Sequence, residues 1–113
     1  SDKLNRYRHD FNEIRNRIYA FQPDNLISNV NEISAGLNLS TSYFQHIYKQ
    51  LFGVSVMSDI IRSRIEYACY LLSNNADSIS EIAFRCGYEN KEHFTRQFKE
   101  ITGFTPRQYR EKI

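Results

Sequence analysis

Glycine and proline are scarce, with four and two in 113 residues. So few breakers, and no stretch that alternates apolar and polar side chains, make helix the default reading along the chain. No apolar run approaches the length of a membrane span, and no signal-peptide pattern is present, so the chain is read as cytoplasmic. Cysteine is equally sparse. Cys69 and Cys86 lie in apolar-patterned segments without CxxC or His/Cys clustering, which suits small buried hydrophobes in a reducing cytoplasm better than a disulfide or a metal pair. Catalytic arrangements are missing too. His9, His46 and His93 lie far apart, no glycine-rich phosphate loop occurs, and no Ser/His/Asp set stands at telling spacing. The sequence therefore predicts no enzyme, no metal site and no cofactor. Charge of one sign is also lacking. The net value of +2 is a weak hint of a polyanionic partner, because duplex binding depends on where the charge sits.

What the chain does have is apolar content: 41% apolar and 14% aromatic residues, enough for a core and against disorder. These residues fall at helical spacing. Leu4, Tyr7, Phe11, Ile14, Ile18 and Phe21 share one face of a first helix, which Pro23, Asp24 and Asn25 break. A short helix follows, capped by Asn29 with Glu32 reaching back, and with Val30, Ile33 and Leu37 inward. Asn38 takes the left-handed turn. Ser40 then caps a helix from Thr41 to about Phe52, with Phe44, Ile47, Tyr48, Leu51 and Phe52 inward and Gly53 ending it.

Ser55 starts a longer helix to about Leu72, with Met57, Ile60, Ile61, Ile65, Ala68, Leu71 and Leu72 inward, closed by Asn74 and Asn75. Ser78 and Glu81 form a capping box for the next short helix, and Gly87 supplies its turn. Asn90 caps a helix with Phe94, Phe98 and Ile101 inward, stopped by Gly103. Pro106 suits the first turn of a last helix carrying Tyr109 and Ile113. The expectation is an all-α fold of seven helices and no strand.

The same unit occurs twice. Phe44 matches Phe94, Tyr48 matches Phe98, Lys49 matches Lys99 and Gly53 matches Gly103, all offset by 50. Upstream, Asn29 matches Ser78, Glu32 matches Glu81 and Ile33 matches Ile82, offset by 49. One residue has entered the second turn, between Gly87 and Asn90, where gaps are tolerated. Each copy is a short capped helix, a tight turn and a longer capped helix with a polar outer face. That is the layout of a helix-turn-helix, whose second helix enters the major groove. A plain pair of α-hairpins is the bland alternative, but helical solenoids usually need roughly three or more copies. The organisation predicted is residues 1–25 as an N-terminal helix and loop packing on the first unit, 26–54 as the first helix-turn-helix, 55–75 as the connecting helix, and 76–113 as the second helix-turn-helix with a C-terminal helix. From Val56 to Leu72 the connecting helix would span roughly 25 Å, which sets two reading helices near one duplex turn apart, about 34 Å.

At this point the residues match a known family. The run Ser78–Arg110, with Glu81-Ile82-Ala83, Gly87-Tyr88, Phe94, Arg96, Phe98-Lys99, Gly103, Thr105-Pro106 and Tyr109-Arg110, resembles the second helix-turn-helix of AraC/XylS-type regulators. Arg64-Ile65, Ala68 and Leu71-Leu72 are similar to that family's connecting helix, and Ser40 to Gly53 fits its first unit. The resemblance covers about residues 11–112. It implies a bacterial transcription-factor domain that recognises promoter DNA in two adjacent major grooves. Asn38 stands where the family commonly has Gly, and Tyr48 where Phe is usual. His46 occupies a position that is often Arg, which leaves open the base read there.

The outward positions of the first recognition helix are Ser42, Tyr43, Gln45, His46 and Lys49. Gln45 can bond to an adenine edge and His46 can donate to guanine, while Lys49 suits phosphate. On the second, Lys91, Glu92, Thr95, Arg96 and Lys99 face outward. Arg96 suits guanine O6 and N7, and Glu92 can accept from cytosine N4. The resemblance places Ser42, Gln45, His46, Glu92, Thr95 and Arg96 against the groove. Tyr43 and His93 are assigned to packing or the rim. Arg62 and Arg64 can reach phosphate, and Arg64 can equally join the two units. The partners expected are double-stranded promoter DNA, RNA polymerase, and an N-terminal sensor or receiver domain preceding this segment. The competing function is a helical protein-interaction or dimerisation domain, with the N-terminal part of the stripe Leu4, Tyr7 and Phe11 read either as its seam or as the end of a connector from a sensor domain.

Overall fold

The computed structural model describes residues 2–20 and 30–112. Among them are seven helices: α1 (Asp2–Tyr19), α2 (Val30–Gly36), α3 (Thr41–Phe52), α4 (Val56–Asn74), α5 (Ile79–Arg85), α6 (Lys91–Thr102) and α7 (Pro106–Lys112). The expected break at Pro23–Asn25, the cap at Asn29, and the inward places of Phe21 and Ile113 lie outside the described residues. Contacts divide the chain into two compact units, one running to Ile61 and the other from Arg62, so the division falls inside α4.

In the first unit α3 packs on both α1 and α2. Phe11, Ile14 and Ile18 of α1 are buried with Phe44, Ile47 and Tyr48 of α3 and Val56 and Ile60 of α4. The Phe11 and Phe44 rings stack at 5.0 Å, a pairing worth about 1 kcal/mol beyond the area it buries. Leu4 and Tyr7, the candidate dimer seam, pack against this same core and are partly covered by it. In the second unit α6 packs on α5 and α7, with Ile82, Ala83, Phe94 and Phe98 buried. Arg110 of α7 fastens the preceding chain by donating to the carbonyls of Leu72 at 3.3 Å, Asn75 at 3.1 Å and Asp77 at 2.8 Å. One C-terminal carbonyl of α4, Leu72 O, and two in the segment that follows are thus satisfied by a cation, as a helix C-terminus favours.

The repeat extends to the backbone. Asn38 (φ 57°) and Gly87 (φ 92°) take left-handed geometry at matching places. Leu39 N donates to Ser34 O at 2.9 Å, and Tyr88 N to Ala83 O at 3.0 Å, the same six-residue closure in both turns. Ser40 Oγ then accepts from Tyr43 N, and Asn90 Oδ1 from His93 N. Since Leu39 matches Tyr88 while Ser40 matches Asn90, the inserted residue is Glu89. Both long helices end alike, on Gly53 and Gly103, whose amides donate to Lys49 O and Lys99 O at 2.8 Å.

Two inward expectations are corrected. Met57 is 46% exposed and Ile101 is 44% exposed. In the first turn of α4, Val56 takes the core position at 1% exposure and leaves Met57 rotated away. On α6 the stripe Phe94–Phe98 continues at Thr102, whose hydroxyl donates to Phe98 O, so Ile101 lies at its flank. Both cysteines are free thiols, and burial pushes the Cys86 thiol up to about 12, which keeps it protonated and unreactive.

Gly103 and Gly36 should respond oppositely to the same substitution. A methyl group at either meets nothing within 4 Å, but Gly103 has φ +85° while Gly36 ends α2 with no such value. Gly103→Ala is expected to lose about 1 kcal/mol, and Gly36→Ala to gain about 0.5 kcal/mol, in denaturant unfolding. Equal shifts would contradict the left-handed cap.

Candidate nucleic-acid interface

Each long helix presents a polar outer face. On α3, Ser42, Gln45, His46 and Lys49 are all exposed, while Phe44, Ile47 and Tyr48 are buried behind them. On α6, Lys91, Glu92, Arg96 and Lys99 are exposed and Phe94 and Phe98 are buried. Thr95 is half-buried. It lines a cleft of about 290 Å³ of mixed character with Lys91, Ser78, Ile79, Thr105, Pro106 and Arg107. The nine candidate residues thus form two groups, four on α3 and five on α6. Among the described residues Arg96, Lys49, Lys91 and Lys99 make no ion pair, so these cations are not consumed within the fold.

Tyr43 and His93, expected to pack or to sit at the rim, each lie against an aromatic ring. Tyr43 stacks near His46, with centroids 6.4 Å apart and planes at 29°, and meets Tyr7 of α1 edge-on at 6.3 Å. His93 stands edge-on to Tyr88 at 5.3 Å. Arg64 lays its guanidinium over the Tyr88 ring at 5.7 Å, and its Nε is buried without a hydrogen-bond partner among the described residues. The Tyr88 hydroxyl donates to Gln97 Oε1, and burial raises that phenol to about 12.

Sequence reasoning missed the group that holds α3 in place. Asp59 of α4 is 2% exposed and accepts from three side chains. Tyr48 Oη donates to its Oδ2 at 2.6 Å, Tyr19 Oη to Oδ1 at 2.5 Å, and Arg15 Nε to Oδ2 at 2.9 Å. The Arg15 guanidinium also lies over the Phe52 ring at 4.7 Å. Burial alone would raise the Asp59 carboxyl, but the hydrogen bonds from Tyr19, Tyr48 and Arg15, with the Arg15 charge, hold it below the usual carboxylate range. Burial and the hydrogen bond to Asp59 push the Tyr48 phenol strongly upward, so it stays a neutral donor. One signal was available: the hydroxyl that distinguishes Tyr48 from the expected Phe requires a buried acceptor.

The sequence matches the family model described as a helix-turn-helix domain over residues 33–112. The backbone is similar to the C-terminal domain of AraT, a response regulator from Geobacillus stearothermophilus, with a TM-score of 0.80, 30% identity, and 91% of this chain and 84% of that chain covered. The chain belongs to the AraC/XylS family of helix-turn-helix domains. As an AraC/XylS-type domain it is of the DNA-binding, transcription-regulating kind and not an enzyme. Among AraC/XylS-type relatives, the MmsAB operon regulatory protein of Pseudomonas aeruginosa is 31% identical over 81 residues. That match takes in 72% of this chain but 26% of the relative, so the chain spans about a quarter of that protein's length. The fold is also that of the DNA-binding domain of AdpA, solved with a target DNA, at a TM-score of 0.75 and 24% identity over 87% of this chain and 90% of that one. Among the described residues no helix is long and apolar enough to cross a membrane.

Proposed function

We propose that the chain binds double-stranded promoter DNA sequence-specifically in the bacterial cytoplasm, with α3 and α6 each reading one of two adjacent major-groove segments. The observation that carries this reading is the duplicated unit. Two helices of 12 residues, each capped at its start and ended by a left-handed glycine, present cations, amides and hydroxyls outward over a buried aromatic face. An α-helix fits the major groove of B-form DNA, where each base pair shows a distinct donor and acceptor pattern.

Roles follow from side-chain chemistry. Gln45 pairs with an adenine edge, His46 donates to guanine, and Ser42 bonds to a neighbouring base or phosphate. Arg96 forks onto guanine O6 and N7, Glu92 accepts from cytosine N4, and Thr95 contacts the base beside it. Lys49, Lys91 and Lys99 meet phosphates. AdpA, whose domain was solved on its target DNA, supports the duplex partner, and AraT, a response regulator matched through its C-terminal domain, supports a further governing domain. The chain works at promoters where RNA polymerase is a second partner, and a sensor or receiver domain governs it.

Selection from random duplex DNA at near-physiological salt tests the reading. Two short preferred blocks about one helical turn apart are expected in the retained sequences. No enrichment over input would overturn direct base reading by this chain.

A further inference from the structure

The start of α1 has an unexplained cation at the edge of the proposed reading surface. Lys3 places its Nζ 5.7 Å from the Tyr43 ring centroid. Tyr43 is held from behind by Tyr7, and its ring lies 6.4 Å from that of His46, an outward side chain of α3. Together these contacts put the Lys3 ammonium within about 12 Å of the His46 imidazole. The major groove of B-form DNA is about 12 Å wide, so a cation no further than that from a base-reading side chain lies within reach of the phosphates that line the groove.

Two further observations favour a phosphate over idle solvation. Lys3 is exposed, and among the described residues it makes no ion pair, whereas Arg15 on the same helix is consumed by Asp59 and His9 lies against Glu13 at 3.4 Å. The aromatic ring also limits where the ammonium can sit. Contact with the ring face leaves N–H donors free on a lysine whose rotamers are already restricted. The position lies beside the first turn of α3, and the N-terminal part of a recognition helix is the part that approaches base edges.

We propose that the first turn of α1 belongs to the DNA interface, with the Lys3 ammonium, seated on Tyr43, contacting a backbone phosphate that flanks the segment read by α3. The inference rests on the DNA-reading function proposed above and adds an element outside both helix-turn-helix units to the contact surface. Arg6, exposed one turn further along the same helix, extends the basic edge.

The test is duplex binding measured against salt concentration, using the preferred site of the unmodified chain. Lys3→Gln is expected to reduce the magnitude of the slope of log affinity against log salt by about 0.9, one phosphate contact, without altering which bases are preferred. Tyr43→Phe keeps the ring, so in that background Lys3→Gln should change the slope as before, while in a Tyr43→Leu background the change should shrink. An unchanged slope in Lys3→Gln, with circular dichroism showing an intact fold, overturns the phosphate contact. An altered base preference overturns it in favour of base reading. Absence of sequence-specific binding by the unmodified chain would instead overturn the underlying DNA-reading function, so the two failures are distinguishable.

Discussion

Replacing Asp59 by alanine is expected to cost about 3 kcal/mol of stability, with the loss centred on the first unit. Three donors converge on this carboxylate, and two come from phenols. Tyr48 is fully buried, so its hydroxyl would be left without an acceptor where water cannot replace it. Arg15 is more accessible and would recover solvation, which keeps its share of the loss small. Tyr48→Phe removes one donor while leaving the carboxylate its other two, and about 1 kcal/mol is expected there. Denaturant unfolding of both variants measures this, and hydrogen exchange locates it. Asp59→Ala within about 0.5 kcal/mol of the parent chain would contradict the network.

The same group sets the pH response. The Asp59 carboxyl lies below its ordinary value in the folded chain, so its contribution is complete above about pH 4, the unfolded range, and is lost as pH falls through the folded value. The Tyr48 phenol is raised, so its contribution is present below about pH 10 and declines as pH rises further, when the unfolded chain ionises first. Asp59→Asn should flatten the acid limb of a stability-against-pH curve, and Tyr48→Phe the alkaline limb.

Arg96→Ala is expected to remove about 1–3 kcal/mol of discrimination at one base position in the segment read by α6, while binding to random duplex falls much less. Arg96 is exposed and makes no ion pair among the described residues, so its guanidinium is free to fork onto a guanine edge. Arg96→Lys keeps the charge without the planar fork and separates the two contributions: affinity for random duplex should survive and the guanine preference should not. Competition binding against a panel substituted at each position reads the result. An equal loss on specific and random duplex would move Arg96 from base reading to phosphate contact.

Much of this was legible because helix ends announce themselves. Ser40, Ser78 and Asn90 could be read as caps because a short side-chain acceptor before a periodic run has one obvious use, and all three accept the expected amides. The duplication was legible because aromatic anchors and left-handed glycines recur at fixed offsets. Asp59 was not legible, since an acid in the first turn of a helix already has an ordinary reason to be there. Patterning sends polar residues outward, which hides a carboxylate whose partners lie 11, 40 and 44 residues away. Met57 and Ile101 failed for the converse reason. Residue type says apolar, but the angular step from one helical residue to the next gives the inward place to a neighbour. Most of the α3 and α6 side chains were legible as outward-facing, but Tyr43 and Thr95 are half-buried, and Lys3 was not legible because its position depends on how α1 lies against Tyr43.

The two units share one framework but differ at a matched buried position as well as in their outward residues. Behind α6 the place of Tyr48 is taken by Phe98, fully buried and edge-on to Tyr109 at 5.5 Å. This bears on any attempt to re-engineer the readers by grafting one helix onto the other. The exposed letters Ser42, Gln45 and His46 can be transplanted as a set, provided that Tyr43, whose ring stacks near His46, is considered with them. The residue behind them cannot travel. A tyrosine brought into the Phe98 position would carry a hydroxyl into a fully buried site lined by the Phe94 and Tyr109 rings, and a phenylalanine at position 48 would leave Asp59 one donor short. Swappable alphabets here sit on sockets that are not interchangeable, so a workable graft keeps each unit's inner face and exchanges only its outer one.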